Sequence, residues 1–148
     1  LSIATMTIPD ANLLLYAHNT ADPDHMAAKK WWSTLLEGAD PVGIPIVVVL
    51  AFLRLSTSSK VLATPLSPAE STECIATWFT SPLVSLLNPG PNHLTTFFDL
   101  VCASGAAGNL TTDAEIAALA LEYRAEVHSN DQDFGRFKGL RWRNPLRD

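Results

Sequence analysis

The sequence predicts a single α/β domain, residues 1–148, whose central and mostly parallel sheet is covered by helices on both faces. Two observations carry that prediction. Short β-branched runs alternate with longer amphipathic ones along the whole chain, which is the pattern of successive strand–helix–strand units. The 148 residues, 47% apolar and 17% charged, have the size and composition of one compact domain that can bury a sizeable core.

The elements follow in order. Ile3 to Pro9 is short, apolar and β-branched and stops at Asp10, so it reads as a strand running into a helix with Leu13, Leu14, Leu15, Tyr16 and Ala17. Asp10 then falls at the carboxyl end of the first strand, where open α/β sheets place their ligands. A plain helix cap explains it as well. Asp24 can cap a helix from His25 to about Gly38, with Trp31, Trp32, Leu35 and Leu36 on its apolar face. His25 has no acid or cysteine at ligand spacing and reads as surface or capping.

Val42 to Ile44 reads as a second strand, and Pro45 as the first residue of a helix reaching about Ser56. Ser67-Pro68-Ala69-Glu70 has capping-box spacing with proline at the first helical position, so a helix runs from there to about Thr80. Leu83 to Leu87 is a third strand, stopped by Asn88-Pro89-Gly90-Pro91. From Asn92 an amphipathic helix uses Leu94, Phe97, Phe98 and Val101 and ends near the glycines at 105–108. Thr112 and Glu115 have capping-box spacing at the start of the next helix, whose buried stripe is Ile116, Leu119, Ala120 and Tyr123. Glu126 to Ser129 is the last clear strand.

Composition narrows the function. Leu1 to Thr7 lacks the basic and apolar regions of a signal peptide, and the most apolar segment, Ile44 to Leu53, is about half the length needed to cross a bilayer. A soluble, cytoplasmic protein without membrane contact is expected. Cys74 and Cys102 sit in apolar helical contexts without CxxC spacing and read as buried free thiols, not a disulfide or a zinc site. The net charge of −5 argues against general nucleic-acid affinity. Its distribution is uneven, because Arg136, Lys138, Arg141, Arg143 and Arg147 are half of all the Lys and Arg. A basic tail beside acids can hold a polyanion. A solvated C-terminal surface accounts for the same residues.

The chemistry rests on carboxylates at three junctions. Asp131 and Asp133 follow the last strand in Val-His-Ser-Asn-Asp-Gln-Asp-Phe-Gly, a stretch that is also an ordinary polar turn. Asp113 lies in the first turn of its helix, where the helix field stabilises a carboxylate without any further role. Neither explanation accounts for acids at three places that a parallel sheet would bring to one edge. Carboxylates packed this closely force a proton onto one of them or destabilise the fold, unless a cation compensates. Oxygen-only ligands suit Mg²⁺ or Mn²⁺, whose natural substrate is a phosphate group, and the reaction implied is phosphodiester hydrolysis.

Asp10-Ala-Asn12-Leu-Leu-Leu-Tyr16, Phe52-Leu-Arg54, Asp113-Ala-Glu-Ile-Ala-Ala-Leu-Ala, Asn130-Asp131-Gln-Asp133-Phe134-Gly-Arg-Phe137 and Leu140-Arg-Trp142-Arg-Asn144-Pro145-Leu together resemble the PIN-domain ribonucleases, and within them the VapC toxins of bacterial toxin–antitoxin pairs. The resemblance implies a three-layer α/β/α fold and Mg²⁺-dependent endonuclease activity on structured RNA, tRNA or rRNA, that inhibits translation. It also implies a homodimer and a VapB-type antitoxin whose tail occupies the active groove. Carried over by position, Asp10, Asp113 and Asp131 would be metal ligands and Asp133 a ligand directly or through water. Asn12 and Ser129 would orient them. On the charge of the tail, Arg136, Lys138, Arg141 and Arg143 are the residues expected to contact RNA.

One departure stands out. The glutamate that this family commonly carries just before Phe-Leu-Arg is Ala51 here, and no acid lies between Asp40 and Glu70 to replace it. A second reading therefore keeps the fold and drops the chemistry, as a PIN-like module that binds RNA or its antitoxin without cutting. A third, a phosphoacceptor or phosphatase domain, would want a lysine near the acids, and the strand ends offer none.

Overall fold

Residues 4–147 are described by the computed structural model, in which five strands form one sheet in the order β3-β2-β1-β4-β5 with every neighbouring pair parallel. The strands are β1 (Thr7–Pro9), β2 (Val42–Pro45), β3 (Val84–Leu87), β4 (Glu126–His128) and β5 (Arg141–Arg143). Helices α1 (Ala11–His18), α2 (His25–Glu37), α3 (Ile46–Ser56), α4 (Pro68–Trp78), α5 (His93–Ser104) and α6 (Thr111–Tyr123) complete a three-layer α/β/α arrangement. No helix among the described residues is long and apolar enough to cross a membrane.

The central strands are short apolar runs because both faces are covered. Ile8, Val42, Ile44 and Val127 have no solvent exposure, and the core continues through Leu13 and Leu14 of α1, Val48 and Phe52 of α3 and Ile116 of α6. Ala114, Ala117, Ala118 and Ala120 keep α6 thin where it lies on the sheet. Gly43 is required by packing, since a Cβ there would stand 2.7 Å from the buried Leu87 side chain on β3.

Several local expectations change. β1 begins at Thr7, and Ile3 lies outside the described residues. Pro45 pairs with Leu87 as the last residue of β2, so α3 starts one residue later with Pro45 as its cap. The capping box of α4 forms as read, with Glu70 N–H to Ser67 Oγ at 3.1 Å and Ser67 N–H to Glu70 Oε1 at 2.9 Å, although the helix stops at Trp78. The Asp24 side chain does not cap α2. Instead it accepts both guanidinium nitrogens of Arg147, each at 3.1 Å. Cys102 is exposed and Cys74 half-buried, so the thiols are free, as expected, but not buried in the core.

The α5–α6 pair differs most. No capping box forms at Thr112, because a 3₁₀ turn at Gly108–Leu110 leads into α6 and Glu115 is engaged elsewhere. Its Oε1 lies 2.6 Å from Nε2 of His93, whose Nδ1 lies 3.1 Å from Glu122. Burial alone would lower the His93 pKa, but hydrogen bonds and charge from the two glutamates outweigh it and hold it raised. With His93 drawn toward α6, α5 turns Leu94 and Phe98 outward, at 63% and 56% exposure, against the expected stripe. Tyr123 is likewise exposed and donates its hydroxyl to the Asn88 carbonyl.

Candidate active site

The sheet order makes a switch point between β1 and β4: from β1 the chain winds outward through β2 and β3 on one side, and β4 and β5 lie on the other. Ligand sites of open α/β sheets form at the carboxyl ends of the strands at such a point. Pro9 is in register with His128, and the Asp10 N–H continues the ladder to the His128 carbonyl at 2.9 Å. Asp10 and Ser129 therefore leave the sheet side by side.

The buried Ser129 hydroxyl organises this corner. It donates to Oδ2 of Asp10 at 2.7 Å and accepts from the Asp131 N–H at 2.9 Å and from Asn12 Nδ2 at 3.3 Å. Asp10 Oδ1 accepts the Ala11 N–H at 2.8 Å, so one carboxylate both caps α1 and faces the site. Ser129→Ala deprives Asp10 of a donor and strands the Asp131 N–H. We expect it to weaken Mn²⁺ binding about 10- to 100-fold by calorimetric titration and to cost about 1–3 kcal/mol in urea denaturation.

Asp113 reaches the same place from the first turn of α6, and Asp131 and Asp133 from the 3₁₀ turn at Gln132–Arg136, which Asp131 caps by accepting the Asp133 N–H at 2.9 Å. Carboxylate oxygens of Asp113, Asp131 and Asp133 all lie within 4.8 Å of one another. Burial pushes the Asp113 pKa up to about 8, helped by its hydrogen bond to Asp131 and by the charges of Asp131, Asp10 and Asp133. Burial also raises Asp10, against the hydrogen bonds from Ser129 and Ala11 that lower it. A proton on Asp113 thus stands where a cation's charge would relieve the repulsion.

The donor set fits a hard divalent cation. It consists of carboxylate oxygens alone, the ligands that Mg²⁺ and Mn²⁺ take. Asp10 flanks this set through Ser129 and Asp131.

Asp10 and Asp113 open onto a cleft of about 550 Å³ that Asn12, Ala51, Arg54 and Thr112 also line, among others. Ala51 turns a methyl group to the cleft where the resemblance leads one to expect a carboxylate. Arg54 brings a guanidinium instead. The sequence segments that carry the resemblance contain Arg54, Asn130, Trp142 and Asn144 but assign them no role. In the fold, Asn130 accepts from Asn144 at 2.8 Å and donates to the Tyr16 hydroxyl at 3.3 Å, while Trp142 Nε1 donates to the Ser129 carbonyl at 3.1 Å. These bonds brace the turn that presents Asp131.

The basic residues of the tail separate. Arg136 forms an ion pair with Asp133 at 3.5 Å, beside the acids. Arg141 pairs with Glu126 at the amino end of β5, away from the acidic edge, and its guanidinium donates to the Arg124 carbonyl at the end of α6. Arg143 pairs with His128 at the carboxyl end of β5, and Lys138 is exposed just before that strand.

Comparison with known proteins agrees with this architecture. The PIN domain family model matches residues 7–140. The chain is 44% identical over 143 residues to ribonuclease VapC33 of Mycobacterium tuberculosis, covering 97% of this chain and 100% of that protein. It is 41% identical to ribonuclease VapC37 of the same organism, covering 95% and 97%. Among solved structures, VapBC2 of Rickettsia felis bound to a promoter DNA fragment superposes with a TM-score of 0.69 at 16% identity, over 95% of this chain and 98% of that one. VapC20 of Mycobacterium tuberculosis, described as a sarcin-ricin-loop-cleaving toxin, superposes with a TM-score of 0.67 at 15% identity, over 91% and 98%. With a parallel sheet that gathers its acids at the switch point, and with relatives matched along nearly its full length, the chain belongs to the PIN-domain family, among the VapC proteins.

Proposed function

We propose that the chain is a metal-dependent RNA endonuclease that acts as the toxin of a toxin–antitoxin pair in the cytoplasm. The observation that carries this reading is the meeting of Asp113, Asp131 and Asp133 within 4.8 Å, with Asp113 and the neighbouring Asp10 lining an open cleft. Relatives named as ribonucleases and neighbours solved as VapBC complexes support it. The cation is Mg²⁺, with Mn²⁺ as a substitute, held by Asp10, Asp113 and Asp131, with Asp133 directly or through water. Bound there, it supplies Lewis acidity at a phosphoryl oxygen and lowers the pKa of water.

The chain's own residues do the rest. Ser129 and the Ala11 N–H aim the Asp10 carboxylate, and Asn12 holds Ser129 in turn. Asp113 gives up its proton when positive charge arrives, so its carboxylate becomes available only in the assembled site. Arg54, Arg136 and Lys138 offer positive charge to the RNA backbone around the acids. Structured RNA, tRNA or rRNA, is the substrate, its cleavage stops translation, and a VapB-type antitoxin neutralises a homodimeric toxin by occupying the cleft.

Ala51 favours one alternative, a weakened member that blocks translation by binding RNA alone. Purified protein with structured RNA and Mg²⁺ or Mn²⁺ separates the two. We expect new RNA ends that disappear in EDTA. Tight binding with no cutting in either metal favours the module.

A further inference from the structure

A second cavity, apart from the acidic cleft, opens between α2 and the carboxyl ends of β4 and β5. It holds about 390 Å³ and is lined chiefly by Lys30, Trp31, Leu35, His128, Arg143 and Pro145. Its walls divide by chemistry. Trp31, Leu35 and Pro145 are apolar, Lys30 and Arg143 are exposed cations, and no carboxylate among the described residues lines the space, in a chain of net charge −5. Such a volume is within the range of small-ligand pockets.

The cavity floor is held by hydrogen bonds. The Trp31 indole N–H donates to Nδ1 of His128 at 2.9 Å, and Nε2 of His128 lies 2.8 Å from Glu126 Oε1. An Nδ1 that accepts carries no proton, so the hydrogen sits on Nε2 and the imidazole is uncharged. The outer wall is fastened by Arg147, whose guanidinium nitrogens each lie 3.1 Å from the Asp24 carboxylate at the start of α2.

Position ties the cavity to the reaction. His128 and Ser129 are consecutive residues at a strand end, so their side chains leave the sheet on opposite faces. Ser129 turns to Asp10 and His128 to α2. The Ser129 N–H donates to the Arg143 carbonyl at 3.2 Å, and Asn144 is bonded to Asn130 at 2.8 Å. The cavity and the acids thus lie on the two faces of one sheet edge, on adjacent strands whose backbones are about 5 Å apart, so an RNA strand that crosses this edge can reach both.

We propose that this cavity takes an unstacked nucleotide of the RNA flanking the scissile bond, with its base against Trp31, Leu35 and Pro145 and its phosphate on Lys30 and Arg143. Single-stranded RNA is recognised in this way, by splayed bases on apolar or aromatic surfaces and phosphates on cations. The proposal rests on the ribonuclease reading and specifies where that enzyme holds its substrate.

The test uses a fluorescent hairpin RNA with an unpaired loop and protein carrying Asp10→Asn, so that binding is read without cutting. Two variants are compared with that parent: the pair Lys30→Ala with Arg143→Ala, and Thr34→Trp, which fills the cavity and removes no charge. All three positions are exposed, so the fold is retained. Each variant is expected to bind the RNA about tenfold more weakly. The slope of log affinity against log salt falls by about 1 in the charge pair and stays unchanged in Thr34→Trp. With Asp10 intact, KM rises and kcat holds.

Parent-like affinity and parent-like KM in both variants overturn the cavity assignment and leave the ribonuclease reading standing. Retained RNA affinity with loss of antitoxin co-purification assigns the cavity to a protein partner and overturns it too. If the protein with Asp10 cuts nothing while both variants still lose RNA affinity, the ribonuclease reading fails and the cavity stands as an RNA site.

Discussion

Asp10→Asn is expected to lower metal-dependent RNA cleavage about a thousandfold and to leave the fold intact. The substitution preserves shape and an oxygen for the Ala11 N–H, so the helix cap survives. What it removes is a negative charge beside the Asp113, Asp131 and Asp133 cluster. A metal held to a phosphoryl group contributes several kcal/mol to the transition state, and loss of about 4 kcal/mol is close to a thousandfold. Asp10→Ala removes the same charge and also the cap, which adds about 1 kcal/mol of destabilisation. Single-turnover cleavage in Mn²⁺, set beside urea denaturation of both variants, therefore separates chemistry from stability. Cleavage by Asp10→Asn within tenfold of the parent would show that this carboxylate takes no part in the reaction.

Without metal, the protein should lose stability as pH rises from about 4 to about 8, and Mn²⁺ should remove the slope. Asp113 has a folded pKa of about 8. In the unfolded chain it titrates near the ordinary aspartate value of about 3.9. Between these values the folded state holds a proton that the unfolded state has lost, so folding weakens with rising pH. Below about 4 both states are protonated and nothing is lost; above about 8 both are ionised and the loss is complete. A four-unit shift would correspond to about 5 kcal/mol, and solvent screening at this partly exposed group reduces it to on the order of 2 kcal/mol.

Burial raises Asp10 as well, and its contribution has the same sign. Asp113→Asn abolishes the main titration and should flatten the profile. Urea midpoints across this pH range, with and without Mn²⁺, give the answer. A parent profile as flat as that of Asp113→Asn would mean that the acids do not share a confined site.

Parts of the fold were legible because their signals are local. Ser67-Pro68-Ala69-Glu70 satisfies its own N–H groups within one turn. The Thr112–Glu115 pair has the same spacing but fails, because His93 on α5 takes Glu115. β5 was missed because Arg-Trp-Arg lacks an apolar strand pattern. As an edge strand with one partner it tolerates charge on its outer face. Leu94 and Phe98 fit a helical stripe, yet which face of α5 is buried depends on α6 and on His93 between them.

The same division runs through the candidate site. Sequence by itself determined the alternating elements, the parallel sheet they imply and the presence of acids at the ends of three of them, since these depend on side-chain period and turn chemistry over a few residues. Only the tertiary structure decided that β4 lies beside β1 in the register that sets the Ser129 hydroxyl against Asp10, 119 positions away. It also decided that Asp113 shares a hydrogen bond with Asp131, that Arg54 and Ala51 line the cleft, and that the arginines of the tail part company. Strand order and register are set by how the whole core closes, and no local pattern records which distant carboxylate will stand within a few ångströms of another.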